Sequence, residues 1–420
     1  MPDASDGALL AEPGPGAGAD GLPFLARHRF LLAFATLSSL MGISVGVAKV
    51  TTSLYAVHLG ASPTVLGLIA GAQSVGVLVM SLPLGFLVDQ VGPGRLFVLG
   101  TLVAAGLYGV LPLVASAPYL LVLTALISFF MPFRFVSLNS VFMAQLERIG
   151  ESKAGWYRGT HMIGMFLLGP ALATVVLKAI DFAGTYRAVA IAFLATMALS
   201  SIVFGPYARP RGAARRMTWS AIVGQLGVLA ADAELRQVCS VEFLGQATNG
   251  YFSFFIIVVA MDSLGLDRAD ATSLVTLNGT SFVFALFLLG GLVRRLGPRR
   301  VYRASFLEVA AALMLLGLAE TKAALWAGAL ALGLGLGMLQ IANLTRFARS
   351  GARLGRGKMA GLSALTSPAG AVLGNLVGGV VGRWFGPQAM FLVFAPLFVL
   401  ASVVLAPAAG PALDAEAPGD

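Results

Sequence analysis

The sequence predicts an all-α membrane protein, twelve transmembrane helices arranged as two pseudo-symmetric six-helix halves, and three observations predict it. First, 58% of the residues are hydrophobic and 11% charged, with a mean hydropathy of +0.87, which is too apolar for a soluble globule of 420 residues. Second, long apolar runs recur along the chain, each near the roughly 20 residues that a helix needs to cross a bilayer. Third, Gly85-Phe86-Leu87-Val88-Asp89-Gln90-Val91-Gly92-Pro93-Gly94-Arg95 returns as Gly290-Gly291-Leu292-Val293-Arg294-Arg295-Leu296-Gly297-Pro298-Arg299-Arg300, identical at six of eleven positions. The same offset pairs Leu59-Gly60 with Leu264-Gly265 and Gln73 with Asn278, so a duplicated half explains the pattern.

Taken in order, residues 1–26 are rich in Gly, Ala, Pro and Asp and lack a basic stretch followed by an apolar core, which predicts a disordered cytoplasmic tail and not a signal peptide. Arg27-His28-Arg29 then anchors the first apolar run on the inner side. The first half, 27–206, holds spans near 30–57, 64–86, 95–115, 119–145, 157–178 and 186–206. The first Gly-Pro turn separates the second of these from the third. Arg209, Arg211, Arg215 and Arg216, set among Pro and Gly, open a cytoplasmic linker at 207–235 that is expected to carry an amphipathic surface helix over 218–232. The second half, 236–406, holds spans near 236–260, 271–293, 301–319, 323–345, 358–382 and 387–406; an acidic, Pro-containing tail at 407–420 is expected to be disordered and cytoplasmic.

Of the 28 Lys and Arg residues, Lys178, Arg187, Arg268, Lys322 and Arg383 fall on one side of such a topology and Lys49 and Arg134 within the bilayer; the remainder fall on the other side. The positive-inside rule places both termini in the cytoplasm, and the net charge of +9 is explained by topology without a nucleic-acid partner. The single cysteine, Cys239, excludes an intrachain disulfide framework and a cysteine-cluster metal site. There is no Walker A loop, no His-Glu-x-x-His pair and no Gly-x-Ser-x-Gly elbow, and the only histidines are His28, His58 and His161. No enzyme, cofactor or metal site is therefore expected.

Two six-helix halves joined by a basic linker, with a Gly-x-x-x-Asp-x-x-Gly turn between the second and third spans, resemble the major facilitator superfamily over about residues 27 to 406. The resemblance implies a secondary transporter of the bacterial cytoplasmic (inner) membrane, monomeric, working with a small-molecule substrate, a proton and the lipid bilayer as its partners. It implies that Gly85, Asp89, Gly92 and Arg95 form a conformational latch, weaker in charge here because Gln90 and Pro93 stand where the family usually has Arg or Lys. The alternative is a turn that only connects helices, since Arg294 replaces the Asp in the second copy. Arg134 in the fourth span matches an arginine of proton-linked exporters, and Gly169-Pro170 in the fifth resembles their antiporter motif. These two residues bend the helix or serve only packing.

Ionisable residues inside a span are functional candidates because burying them costs several kcal/mol unless they are paired or hydrated. Lys49 shares a small, polar face of the first span with Ser38, Gly42 and Thr52; it reaches either a cavity or the outer headgroups. Arg134 lies too deep to snorkel, which leaves a cavity role or a structural ion pair. In the seventh span Glu242, Gln246, Asn249 and Ser253 follow an i, i+4, i+7, i+11 spacing that lines one face, and Gln340 and Asn343 stand in the tenth. The family resemblance puts the first, fourth, seventh and tenth helices around the transport path, so Lys49, Arg134, Gln246, Asn249, Gln340 and Asn343 are expected to touch substrate. Glu242 is expected to carry the coupling proton, or else to pair with Arg158 or Arg236 near the inner face. Gln73 and Asn278, equivalent in the two halves, either touch substrate or bond between helices. The excess of Lys49 and Arg134 over Glu242 points to an anionic organic substrate, exported against protons. Proton-symport uptake and a non-transporting sensor or assembly factor are the alternatives.

Overall fold

A computed structural model describes residues 29–149, 156–204, 232–289, 295–354 and 356–405. The predicted tails at 1–26 and 407–420 lie outside the described residues, as does the linker helix expected at 218–232 apart from Asp232. That residue instead caps the following helix, its Oδ1 accepting from Leu235 N at 2.9 Å.

The described residues form twelve helices. In the first half these are α1 (Arg29–His58), α2 (Pro63–Val91), α3 (Pro93–Val110), α4 (Ala117–Ile149), α5 and α6 (Phe182–Phe204). α5 is composite: Trp156–Met162, a π-helical turn over Ile163–Leu168, then Gly169–Ala179. In the second half they are α7 (Ala233–Val258, prolonged by a π-helical turn over Val259–Ser263), α8 (Arg268–Leu288), α9 (Pro298–Gly317), α10 (Lys322–Leu354), α11 (Arg356–Phe385) and α12 (Ala389–Val404). Ten of them are long and apolar enough to cross a membrane. The exceptions are α12, of 16 residues, and α9, whose first turns carry Arg299, Arg300 and Arg303. Side chains such as Val175, Ile191, Leu288, Leu318 and Val403 are more than 60% exposed, an apolar surface that only a lipid solvent tolerates over this extent.

The repeat seen in the sequence is a repeat in the backbone. Gly92 ends α2 at φ 93° and its counterpart Gly297 precedes α9 at φ 77°; Gly60 and Gly265, in the turns before α2 and α8, take φ 65° and 63°. A residue with a Cβ is strained at these angles, so each turn keeps its glycine in both copies.

The contacts divide the chain into two compact units, Met1–Val223 and Gly224–Asp420, and the same helix pairs form within each. α2 packs on α4, α3 on α4 and α6, and α1 on α5; correspondingly α8 packs on α10, α9 on α10 and α12, and α7 on α11. One difference is that α1 also packs closely on α6. Glycines set these close approaches, as expected where lipid supplies no hydrophobic drive between helices. In the first half Gly42 and Gly46 of α1 meet the backbone of α5 at Gly164, Met165 and Gly169. In the second, Gly370, Gly374 and Gly378 along one face of α11 lie against Phe243, Ala247 and Tyr251 of α7.

Candidate functional site

The second half contains a pocket lined by α7, α8 and α10, with Glu242, Gln246 and Asn249 on one wall, Gln340 and Asn343 on another, and Phe282 between them. The spacing on α7 puts its three polar residues on one face, and Gln340 and Asn343 are three apart on α10 for the same reason. Glu242 is 3% exposed. Its Oε1 accepts from Gln246 Nε2 at 3.3 Å and from Ser367 Oγ of α11; its Oε2 accepts from Asn343 Nδ2 at 3.2 Å and Gln340 Nε2 at 3.4 Å. Four neutral donors thus meet the carboxylate. No ion pair to Glu242 occurs among the described residues.

The Asn343 amide is oriented by its partners, because Nδ2 also donates to Val238 O at 3.2 Å while Oδ1 accepts from Tyr302 Oη of α9 at 3.0 Å. Beyond Tyr302 lies Arg346, whose Cζ sits 5.5 Å from the tyrosine ring centroid. Its Nη2 donates to Gln237 Oε1 at 3.0 Å and its Nε lies 3.8 Å from Glu234 Oε1. A polar chain therefore runs from the partly exposed Glu234 in the first turn of α7, through the buried Arg346, Tyr302 and Asn343, to Glu242.

Sequence reasoning missed Ser367 and Tyr302. The signal for Ser367 is Thr366-Ser367-Pro368: a proline inside a span frees a carbonyl and marks a bend, and hydroxyls one residue before it are suspects. Tyr302 carries no such mark; only the packing of α9 on α10 brings its hydroxyl to Asn343.

The other predicted residues fall elsewhere. Asn278 is buried and donates from Nδ2 to Ala329 O at 3.2 Å, tying α8 to α10. Gln73 is half-buried on α2, and its Nε2 has no hydrogen-bond partner among the described residues. Arg134 is fully buried inside the first half: Nη2 donates to Thr196 Oγ1 of α6 at 2.8 Å, and Cζ lies 3.7 Å from the Phe193 ring centroid and 5.8 Å from that of Phe97 on α3. Lys49 is half-buried on α1, and its ammonium has neither ion-pair nor hydrogen-bond partner among the described residues. The small face of α1 that bears it is spent largely on packing. Thr52 accepts from Tyr186 Oη at 3.2 Å, the Ser38 carbonyl meets His161 Nδ1 at 3.2 Å, and Gly42 abuts α5.

Gly85 and Asp89 fall in α2 and Arg95 is exposed near the start of α3; the Asp89 side chain and Arg294 lie outside the described residues. Gly169 and Pro170 follow the π-helical turn of α5, and Gly169 lies against Gly46, so the pair joins a distorted helix to a close packing seam.

Two repeated six-helix units, the second with a buried carboxylate on a polar pocket, are a build suited to membrane transport. The family model for the Major Facilitator Superfamily matches residues 32–232 and 238–419, and the chain belongs to that family: it is a transporter of small molecules and not an enzyme. No curated protein matches it by sequence. Among solved structures, a point mutant of the nucleoside transporter NupG aligns with a TM-score of 0.74 at 15% identity, covering 90% of this chain and 98% of that one. NupG itself aligns at 0.68 and 14%, covering 90% and 98%. The human organic anion transporter MFSD10 (TETRAN) aligns at 0.63 and 15%, covering 91% and 100%. At these identities the likeness is one of fold.

Proposed function

We propose that this chain is a monomeric, proton-coupled transporter of a small organic anion, placed in the cytoplasmic membrane with both termini inside and working by alternating access. The observation that carries the reading is Glu242, a buried carboxylate met by four neutral donors on the wall of a polar pocket. A carboxylate inside a span is costly, and one that faces a pocket while lacking a fixed cation is suited to gain and lose a proton. Gln246, Asn249, Gln340 and Asn343 line the same pocket and are the substrate contacts assigned to this half. The sign of the substrate follows from what is left unmet. Lys49, a cation within a span of the first half, lacks any partner among the described residues, and an anion is what would meet it.

Protonation of Glu242 removes a negative charge from the interior and so strengthens the hold on an anion, which moves proton and substrate in the same direction. Exchange, with export driven by entering protons, is the second reading. It requires substrate and proton to compete for Glu242, and it is favoured by Gln246, a weakly held partner of the carboxylate that also faces the pocket. A polar pocket speaks against a member that has lost transport. Gly85, Asp89, Gly92 and Arg95 are assigned the conformational latch.

The test is transport into proteoliposomes and everted vesicles under imposed pH gradients, using carboxylate, neutral and cationic compounds. Symport predicts anion accumulation on the side to which protons flow; exchange predicts depletion there. Glu242→Gln is expected to bind substrate without pH-driven accumulation, and retention of the wild-type pH dependence in this variant sinks the coupling role.

A further inference from the structure

The four donors around Glu242 are not equivalent, and their difference decides where a proton can sit. Oε2 faces two amide nitrogens, Gln340 Nε2 and Asn343 Nδ2. An amide nitrogen donates and cannot accept, so a hydrogen placed on Oε2 would point at two donors. The Asn343 amide cannot turn to relieve this without setting its oxygen against the Val238 carbonyl and surrendering Tyr302 Oη. Oε1 faces Gln246 Nε2 and Ser367 Oγ. The Ser367 hydroxyl is the partner that reverses with the least movement: it donates to the carboxylate and, after rotation about its C–O bond alone, accepts from the carboxylic acid, whereas Gln246 or Gln340 must turn over its whole amide to do so.

We propose that the proton carried by Glu242 resides on Oε1 and is received there by Ser367 Oγ, and that its arrival releases the Gln246 amide to face the pocket. The inference rests on the coupling role given to Glu242 above and names the atoms that perform it. The step balances without another reactant: the carboxylate takes up one proton, the Ser367 hydroxyl turns from donor to acceptor, and Gln246 Nε2 gives up its bond. Of the two partners of Oε1, Gln246 is the one to leave, because its 3.3 Å bond is the longer and its side chain already lines the pocket. Oε2, now a carbonyl oxygen, keeps Gln340 and Asn343, so α7 stays joined to α10 and α11 in both states. What changes is the face that the pocket shows: the neutral state offers a free amide for recognition, and the ionised state does not.

The charged and titratable groups around Glu242 are few. α7 itself contributes Glu234 and the buried Cys239, α9 contributes Tyr302, and α10 contributes Arg346; from α8 and α11 the neighbours are Phe282 and Ser367, which carry no charge. None of these makes a direct ion pair with the carboxylate among the described residues.

The test needs no substrate, because the proton is the ligand. Infrared difference spectra of the full-length protein between acid and alkaline pH are recorded for wild type and variants, and the carboxylic C=O band lost in Glu242→Gln is assigned to Glu242. Ser367→Ala is expected to move that band to higher wavenumber, as an O–H group loses its acceptor, and Ser367→Thr, which keeps the hydroxyl, to restore it. Gln246→Ala is expected to leave the band in place, since Gln246 has already let go in the protonated state. A band that Gln246→Ala moves to higher wavenumber makes Oε1 the carbonyl oxygen, puts the proton on Oε2 and overturns the inference while leaving Glu242 as carrier. Absence of any Glu242-dependent band overturns the coupling role itself, and the two failures are thus distinct.

Discussion

Replacing Gly374 by alanine tests how closely α7 and α11 are held. In most helix interiors this change helps, by about 1 kcal/mol, because alanine loses less backbone freedom than glycine. Here an added Cβ would lie 2.5 Å from Ala247 O, 2.8 Å from Ala247 Cα and 2.9 Å from Ala247 C, where ordinary contact begins near 3.4 Å. All three atoms are backbone, so no side chain can swing aside. The helices must part by roughly 0.5–1 Å over this turn, and such overpacking costs about 1–3 kcal/mol. Set against the propensity gain, the net loss is up to about 2 kcal/mol, or up to roughly 8 °C of melting temperature for a unit of this size. Gly106→Ala is the matched control, since nothing lies within 4 Å of a Cβ there. Thermal unfolding in detergent, followed by intrinsic fluorescence, should show Gly374→Ala melting below wild type and Gly106→Ala at or above it. Ser367 lies two turns away on the same helix, so transport by Gly374→Ala should fall as its bond to Glu242 stretches. If both variants melt at or above wild type, the glycine face of α11 is not what sets the approach of α7.

Arg134→Lys keeps the charge but loses the Thr196 bond and the guanidinium stacked on Phe193; a fall of about 1–2 kcal/mol in stability is expected, and an unchanged melting curve with lost transport would instead give Arg134 a role in the path. Asp89→Asn is expected to insert and express normally yet turn over far more slowly, and wild-type transport rates in this variant would remove the latch. The Lys322–Asp270 pair at 2.6 Å, with side chains 42% and 28% exposed, should contribute below about 1 kcal/mol, so a melting shift of more than a few degrees in Lys322→Ala would show that solvent screens it less than its exposure implies.

Much of this architecture is written locally. A bilayer makes each span satisfy its own backbone hydrogen bonds, so apolar run length alone locates the helices, and α1 to α12 start and stop within about five residues of the expected spans, except where α10 runs on past its own to Leu354. Gly92 with Gly297, and Gly60 with Gly265, announce the duplicated half because a positive φ is a demand on one residue, legible without knowing its neighbours. The polar face of α7 is likewise legible, since helical period puts Glu242, Gln246 and Asn249 on one side whatever that side meets. What meets each face is a different matter. Membrane helices all present apolar surface, so periodicity does not say that α11 brings Ser367 to Glu242, that α9 brings Tyr302 to Asn343, or that Arg134 turns toward Thr196 and Phe193. Those contacts are set by which helices pair and how each is rotated about its axis. In this chain that was decided by glycine faces packed against partners far away in the sequence, and only the tertiary structure identifies them.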